Sequence, residues 1–172
     1  RHACDNGGHV RSVLVEPGAG PLLRPPTASD RPTVRFRRDI KMNSIGVIGA
    51  GQMGAGIAQV SAAAGYHVFL ADLNQDVAEK AKAAIGKRFQ RLVEKDKMDA
   101  QAADVALGRI EAIGSFDKMA TAGLVIEAAT EREEVKRTIF AQVGEVLGHK
   151  AVLASNTSSI PITRLAQASP DA

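Results

Sequence analysis

Three glycines at closely spaced positions, Gly49, Gly51 and Gly54, are the residues of this sequence best suited to bind a charged ligand. They follow the apolar segment 45–48 and form a G-x-G-x-x-G sequence. In such a sequence the first glycine permits a tight turn, and the second lets a diphosphate approach the main chain. The third lets a helix pack closely on a strand, so that the helix N terminus faces the phosphates. The pattern predicts a dinucleotide site.

An acid at the end of a second apolar segment strengthens that prediction. Residues 68–71 are followed by Asp72, which lies 23 residues after Gly49, close to the usual spacing of about 20. A carboxylate there accepts hydrogen bonds from the ribose hydroxyls. A 2′-phosphate would meet a like charge, and Leu73 and Asn74 offer no arginine to receive it, which favours NAD over NADP. Glycines alone also occur in ordinary turns, so the prediction depends on the glycines together with the two apolar segments and Asp72.

Strand and helix patterns alternate from residue 44 onward. They predict an α/β fold of the Rossmann type, a doubly wound and mostly parallel sheet with helices on both faces. Predicted strands cover 45–48, 68–71, 109–113, 124–128 and 151–154, and predicted helices cover 52–64, 75–95 and 100–107. Asn74 is the expected N-cap of the second helix. Thr130 and Glu133 have the spacing of a capping box for a fourth helix, with Val135, Ile139, Val143 and Val146 facing inward.

Composition excludes several classes of protein. Residues 42–172 hold 14 basic and 15 acidic residues, so electrostatics give no case for nucleic-acid binding. No apolar run reaches about 18 residues, so we expect no membrane span. The single cysteine, Cys4, excludes disulfides and thiolate metal sites within this chain and favours a reducing, cytoplasmic location.

The first 41 residues differ from the rest of the chain. They contain five of the seven prolines and seven arginines, and they show no sustained period of a helix or strand. We expect a disordered or non-native extension before a natural start at Met42, with an NAD-binding domain over 42–172. A targeting leader is the alternative. Its arginine content fits, but its four acidic residues and its prolines do not.

Longer motifs resemble one enzyme family. GAGQMGAGIAQ with Asp72, VIEAATE at 125–131, Lys136 and SNTSS at 155–159 are similar to the NAD-binding half of the L-3-hydroxyacyl-CoA dehydrogenases. The bacterial 3-hydroxybutyryl-CoA dehydrogenases are the most similar branch, and the resemblance covers residues 43–172. It implies oxidation of the 3-hydroxyl of a short acyl-CoA, with hydride passed to NAD.

The resemblance also implies roles for individual residues. Ser158 corresponds to the serine that hydrogen-bonds the reacting oxygen of the substrate. The residues implied to bind the cofactor are Gly49, Gly51, Gln52, Met53, Gly54, Asp72, Glu131, Lys136 and Asn156. The residues alone leave alternatives open. The SNTSS loop follows a predicted strand, where ligands bind in open sheets, but it also suits local turns and a cap near Pro161. Without the resemblance, Glu131 fits a helix N terminus and Lys136 a solvated helix face.

The general base of that family is a histidine supported by a glutamate, and both lie beyond the SNTSS loop. His67 and His149 do not match that position, and we expect structural or surface roles for both. The chain is therefore interpreted as a fragment without the catalytic pair and without the helical C-terminal domain, through which the whole protein is expected to form a homodimer. Two alternatives are a dehydrogenase module of a multifunctional fatty-acid oxidation protein and a non-catalytic NAD-binding or structural protein.

Overall fold

A computed structural model describes residues 42–147 and 151–170, so the expectations for residues 1–41 and for His149 lie outside the described residues. The strands form one five-stranded, wholly parallel sheet in the order β3-β2-β1-β4-β5. They are β1 (Ser44–Ile48), β2 (His67–Ala71), β3 (Ile110–Ile113), β4 (Leu124–Glu127) and β5 (Val152–Ser155). The α-helices are α1 (Gln52–Ala63), α2 (Gln75–Val93), α3 (Ala100–Gly108), α4 (Glu133–Val146) and α5 (Ile162–Ala166), and a 3₁₀ helix covers Phe116–Thr121.

The parallel register brings the carboxyl ends of the central strands to one edge of the sheet. Ile48 pairs with Ala71 on one side and with Glu127 on the other, and Glu127 pairs in turn with Ser155. The chain builds outward from β1 through β2 and β3, and then returns to the opposite side of β1 with β4 and β5. Strand order therefore reverses between β1 and β4. Ligands of open α/β sheets bind in the crevice at such a switch point.

Alternate residues of each strand supply two apolar layers, because successive side chains point to opposite faces. On one face, Val47 and Leu70 pack with Ile85 and Phe89 of α2 in the layer beneath α1, α2 and α3. On the other face, a second buried cluster includes Ile48, Phe69, Met119, Val125 and Val143, from the sheet, the 3₁₀ helix and α4. Each fully buried Leu or Ile contributes about 1.5–3 kcal/mol relative to exposure. The predicted doubly wound α/β fold is confirmed.

One predicted helix start is confirmed and another is wrong. Asn74 caps α2, and its side-chain oxygen accepts a hydrogen bond from the amide of Val77 at 3.0 Å. The capping box at Thr130 does not form, since α4 begins at Glu133 and its N-cap, Arg132, makes no side-chain capping bond. The competing interaction is tertiary. The carboxylate of Glu131 accepts hydrogen bonds from hydroxyls of the loop after β5, and the chain enters α4 through an extended Arg132.

The inward face of α4 also differs from the predicted stripe. The fully buried residues are Lys136, Phe140 and Val143, whereas Val135 and Ile139 are half-buried beside a cavity. The 3₁₀ helix was not predicted, because six residues are too short to show a period. Within 42–147 and 151–170, no helix combines the length and the apolar character that crossing a membrane requires.

Candidate active site

The glycine loop joins β1 to α1 by backbone conformations that side chains would obstruct. Gly49 has φ of 98°, in the left-handed region, and a Cβ there would lie 2.6 Å from the carbonyl oxygen of Ala128. A Cβ on Gly54 would lie 1.6 Å from the carbonyl oxygen of Gly49, so the third glycine allows α1 to pack against the loop. A Cβ on Gly51 would meet no atom within 4 Å. The second glycine thus borders open space, as close approach of a ligand requires.

The N terminus of α1 is available to an anion. Its N-cap, Gly51, has no side chain to accept from the amides of the first turn, and that turn carries no acidic residue. The first amides of a helix have no intrahelical acceptor and carry a partial positive charge. The loop therefore presents both the space and the donors that a diphosphate needs.

Asp72 is fixed by the backbone of two loops. One carboxylate oxygen accepts from the amide of Ala50, and the other accepts from the amide of Leu73 at 2.7 Å. The first bond ties the end of β2 to the glycine loop. An ionised carboxylate has about four acceptor sites, so two remain for the hydroxyls of a ribose.

A cavity of about 760 Å³ lies at the switch point, within the size range of small-ligand sites. Its polar wall includes the predicted residues Gly49, Gly51, Gln52, Asp72 and Asn156, and Met53 also lines it. The apolar part of its wall is formed by Ile48, Leu73, Phe116, Ala128, Ala129, Val135 and Ile139. This combination fits a ligand with a charged centre, a sugar and an apolar ring, so the residues present fit a dinucleotide.

Glu131 lies outside the cavity wall and holds the loop after β5. Its carboxylate accepts from the hydroxyl of Thr157 and from the hydroxyl of Ser159 at 2.8 Å, and Lys136 Nζ lies 3.3 Å from its second oxygen. These donors, Thr157 first, lower the pKa of Glu131 from 4.5 to about 2. Since α4 begins only at Glu133, Glu131 precedes the helix and bridges two loops.

Lys136 is buried with a matching acid. Its side chain has no exposed surface, and Nζ donates to both carboxylate oxygens of Glu127 at 2.9 Å. The interpretation of Lys136 as a solvated surface residue is wrong. Its implied contact with the cofactor stays a prediction, because the ammonium group lies between Glu127 and Glu131 and does not line the cavity.

The loop after β5 exposes Ser158. The hydroxyls of Ser155, Thr157 and Ser159 donate to the carboxylates of Glu127 or Glu131. Ser158 is exposed and makes no side-chain hydrogen bond with another described residue. Local turns explain part of the loop, since Ser155 Oγ accepts from the amide of Thr157 at 3.2 Å. The loop therefore commits three hydroxyls to structure and leaves the fourth accessible.

Sequence reasoning missed Glu127. This glutamate ends the strand LVIE, has no exposed surface and contacts both Lys136 and Ser155. A charged residue directly after a run of apolar strand residues was the available signal, because charged side chains are almost never fully buried unless they are paired.

Comparisons with known proteins agree with this geometry. Residues 44–172 match the model of the family described as 3-hydroxyacyl-CoA dehydrogenase, NAD binding domain. A 3-hydroxybutyryl-CoA dehydrogenase of Bradyrhizobium diazoefficiens is 48% identical over 127 residues, which make up 74% of this chain and 43% of that protein. The matched domain binds NAD, which confirms the cofactor predicted from the glycines and Asp72.

Solved structures with 37% and 39% sequence identity to this chain show the same fold. The (S)-3-hydroxybutyryl-CoA dehydrogenase of Ralstonia eutropha aligns with a TM-score of 0.72 and 37% identity, over 75% of this chain and 46% of that one. The 3-hydroxybutyryl-CoA dehydrogenase of Escherichia coli aligns with a TM-score of 0.73 and 39% identity, over 76% of this chain and 28% of that one. This chain spans less than half the length of each of these relatives.

Proposed function

Because this chain belongs to the 3-hydroxyacyl-CoA dehydrogenase family, we propose that it serves NAD-dependent oxidation of a short-chain (3S)-3-hydroxyacyl-CoA. The product is the 3-oxoacyl-CoA, and the reaction is reversible. The observation that carries the proposal is the pairing, at one edge of the sheet, of the cavity bordered by Gly51 and Asp72 with the loop that exposes Ser158.

The residues proposed to bind the cofactor and the substrate lie on different loops. The amides at the start of α1 bind the diphosphate, while Asp72 receives the ribose hydroxyls. The NAD that these residues would hold would supply the acceptor for the hydride of the substrate carbon. Ser158 donates a hydrogen bond to the substrate oxygen as its charge changes, which is the kind of positioned donor that stabilises a transition state.

The described residues do not supply the base that must take the hydroxyl proton. Among them the one histidine is His67, which begins β2 at the amino end of the sheet, and its Nε2 lies 3.8 Å from Glu111. The glycine loop and Ser158 lie at the opposite, carboxyl end. We propose that the base, a histidine supported by a glutamate, belongs to the part of the family's length that this chain does not match.

We expect these 172 residues alone to bind NAD weakly and to turn over acetoacetyl-CoA or 3-hydroxybutyryl-CoA negligibly. A missing general base costs about 10²–10⁴-fold in rate, and the loss of substrate orientation adds to that cost. The acyl-CoA substrate and a homodimer formed outside this chain belong to the same proposal for the whole protein.

A chimaera tests the function directly. This chain replaces the matched part of the Ralstonia eutropha enzyme, and reduction of acetoacetyl-CoA is followed by the loss of NADH absorbance. We expect turnover in the chimaera, at least a hundredfold less after Ser158→Ala, and none above background in the chain alone. A chimaera that folds and binds NADH without turnover would contradict the proposal and favour a non-catalytic NAD-binding protein.

A further inference from the structure

Glu127 is a fully buried carboxylate at the carboxyl end of β4, and both of its oxygens accept hydrogen bonds. Both oxygens accept from Lys136 Nζ at 2.9 Å. Oε1 also accepts from the amide of Ala129 at 2.7 Å, and Oε2 accepts from the hydroxyl of Ser155 at 2.5 Å. One side chain thus connects β4, the turn that follows it, α4 and the end of β5.

The contact with Ser155 reaches the loop that carries the proposed substrate contact. Ser155 Oγ donates to Glu127 and accepts from the amide of Thr157. The amide of Asn156 donates to the backbone carbonyl of Glu127 at 2.9 Å. The first residues of the loop are therefore fixed to β4 through both the main chain and the side chain of Glu127.

We propose that Glu127 is a positioning residue for the dehydrogenation: its buried carboxylate holds the segment 155–160 so that Asn156 lines the cofactor cavity and Ser158 stays presented to substrate. It acts through Ser155 and Lys136 and does not line the cavity itself. The inference rests on the proposed function, since it assigns Glu127 a task within that same site.

Stability alone is a poor explanation for this group. Desolvation of two buried charges offsets much of their attraction, and apolar replacements of similar volume are often neutral or stabilising. A leucine and a methionine could fill the space of Glu127 and Lys136. They could not accept the hydroxyl of Ser155 or the amide of Ala129, and those two bonds orient the loops beside the cavity.

A second carboxylate holds the far half of the same loop. Glu131 accepts from Thr157 and Ser159, the residues on either side of Ser158, and Lys136 lies between Glu127 and Glu131. The buried ammonium group thus joins the two carboxylates that hold the loop. Replacing the side chain of Glu127 would remove its bond to Ser155, leave only the main-chain bond from Asn156, and leave Lys136 with Glu131 alone.

Two variants separate positioning from folding. Ser155→Ala cuts the link between the carboxylate and the loop while it keeps the Glu127–Lys136 pair. The double variant Glu127→Leu with Lys136→Met removes both charges and the acceptor of Ser155 and Ala129 together, so that no unpaired charge stays buried. Glu133→Gln is the matched control for the loss of an ion pair. Glu133 lies on α4, as Lys136 does, but pairs with Arg164 at the surface.

Hydrogen exchange on the chain and kinetics of the chimaera supply the readouts. In both test variants we expect exchange of the amides at 156–160 to rise at least tenfold, with exchange in α1 unchanged. In Ser155→Ala we expect kcat to fall at least tenfold, while Kd for NADH, set by the glycine loop and Asp72, changes less than threefold. A merely structural residue would instead lower the unfolding midpoint and NADH binding together, and we expect Glu133→Gln to match the wild type.

The outcomes of the two proposals are distinct. Exchange at 156–160 and kcat within twofold of the wild type in Ser155→Ala would overturn the assignment of Glu127. If the unsubstituted chimaera shows no turnover, the proposed function fails, and exchange at 156–160 still decides whether Glu127 positions the loop. If the double variant does not fold, Ser155→Ala provides the same decision with the ion pair intact.

Discussion

Two glycines of α1, only two residues apart, should respond in opposite ways to the same substitution. At Gly56 an added Cβ meets no atom within 4 Å. At Gly54 it would lie 1.6 Å from the carbonyl oxygen and 2.8 Å from the carbonyl carbon of Gly49. Both positions are inside the helix, so alanine gains about 1 kcal/mol of helix propensity at each. The difference between the two variants therefore measures the close contact of α1 with the glycine loop.

The structure sets the size of the effect. Relief of the contact at Gly54 requires α1 to move by more than an ångström from a loop whose first glycine holds a positive φ. Overpacking costs about 1–3 kcal/mol or more, and backbone against backbone belongs at the upper end. We expect a net loss of about 2 kcal/mol for Gly54→Ala and a gain of about 1 kcal/mol for Gly56→Ala. At about 4 °C per kcal/mol, the midpoints shift by about −8 °C and +4 °C.

Thermal unfolding followed by circular dichroism checks this prediction, with both variants prepared beside the wild type. NADH titration of Gly56→Ala provides a second check, since we expect its affinity to stay within twofold of the wild type. The reasoning is refuted if Gly54→Ala unfolds at or above the midpoint of Gly56→Ala.

The other predictions concern the site. Gly51→Ala should leave the unfolding midpoint within about 2 °C, since its Cβ meets no atom, but should weaken NADH binding at least tenfold by calorimetry. Asp72→Ala should raise Kd for NADH about 10- to 100-fold, because hydrogen bonds to a charged group contribute about 1.5–3 kcal/mol, and unchanged affinity would disprove the ribose contact. Lys136→Met should cost about 3–5 kcal/mol in urea unfolding by leaving Glu127 buried without its partner, and a cost below 1 kcal/mol would argue against the pair. Glu131→Gln should unfold at a lower temperature than the wild type above pH 4.5. This difference should disappear as pH falls from 4.5 toward 2. Because folding lowers the pKa of Glu131, its ionised carboxylate stabilises the fold above the pKa of the unfolded state, and this stabilisation is lost as the carboxylate is protonated. A difference that persists at pH 2 would contradict this account.

The parts of the site that sequence could predict depend on local geometry. Gly49, Gly54 and Asp72 follow a spacing that the first β-α-β unit imposes on any dinucleotide, so their types and intervals are visible in the chain. The parallel sheet could also be predicted, because the alternation of strand and helix patterns along the chain is visible in the sequence. Family resemblance added Ser158 and Asn156, because the SNTSS loop has no single local meaning.

The missed features depend on contacts between distant segments. Glu127 and Ser155 are 28 residues apart, and only the register of β4 with β5 brings them together. The sequence predicts Lys136 to be a surface lysine, because only the packing of α4 against the sheet brings it to Glu127 and buries it. The predicted capping box at Thr130 has the correct residue types and spacing. It does not form, because Glu131 accepts hydrogen bonds from the loop after β5 and the helix begins later.

The burial of Lys136 also determines its chemical reactivity. Acyl thioesters, the class of the proposed substrate, acylate amines that they can reach. Lys80, Lys87 and Lys95 are exposed to them, whereas Lys136 has no accessible surface and donates to two carboxylates. Lys136 is thus shielded from acyl thioesters, and modification would fall on the exposed lysines first.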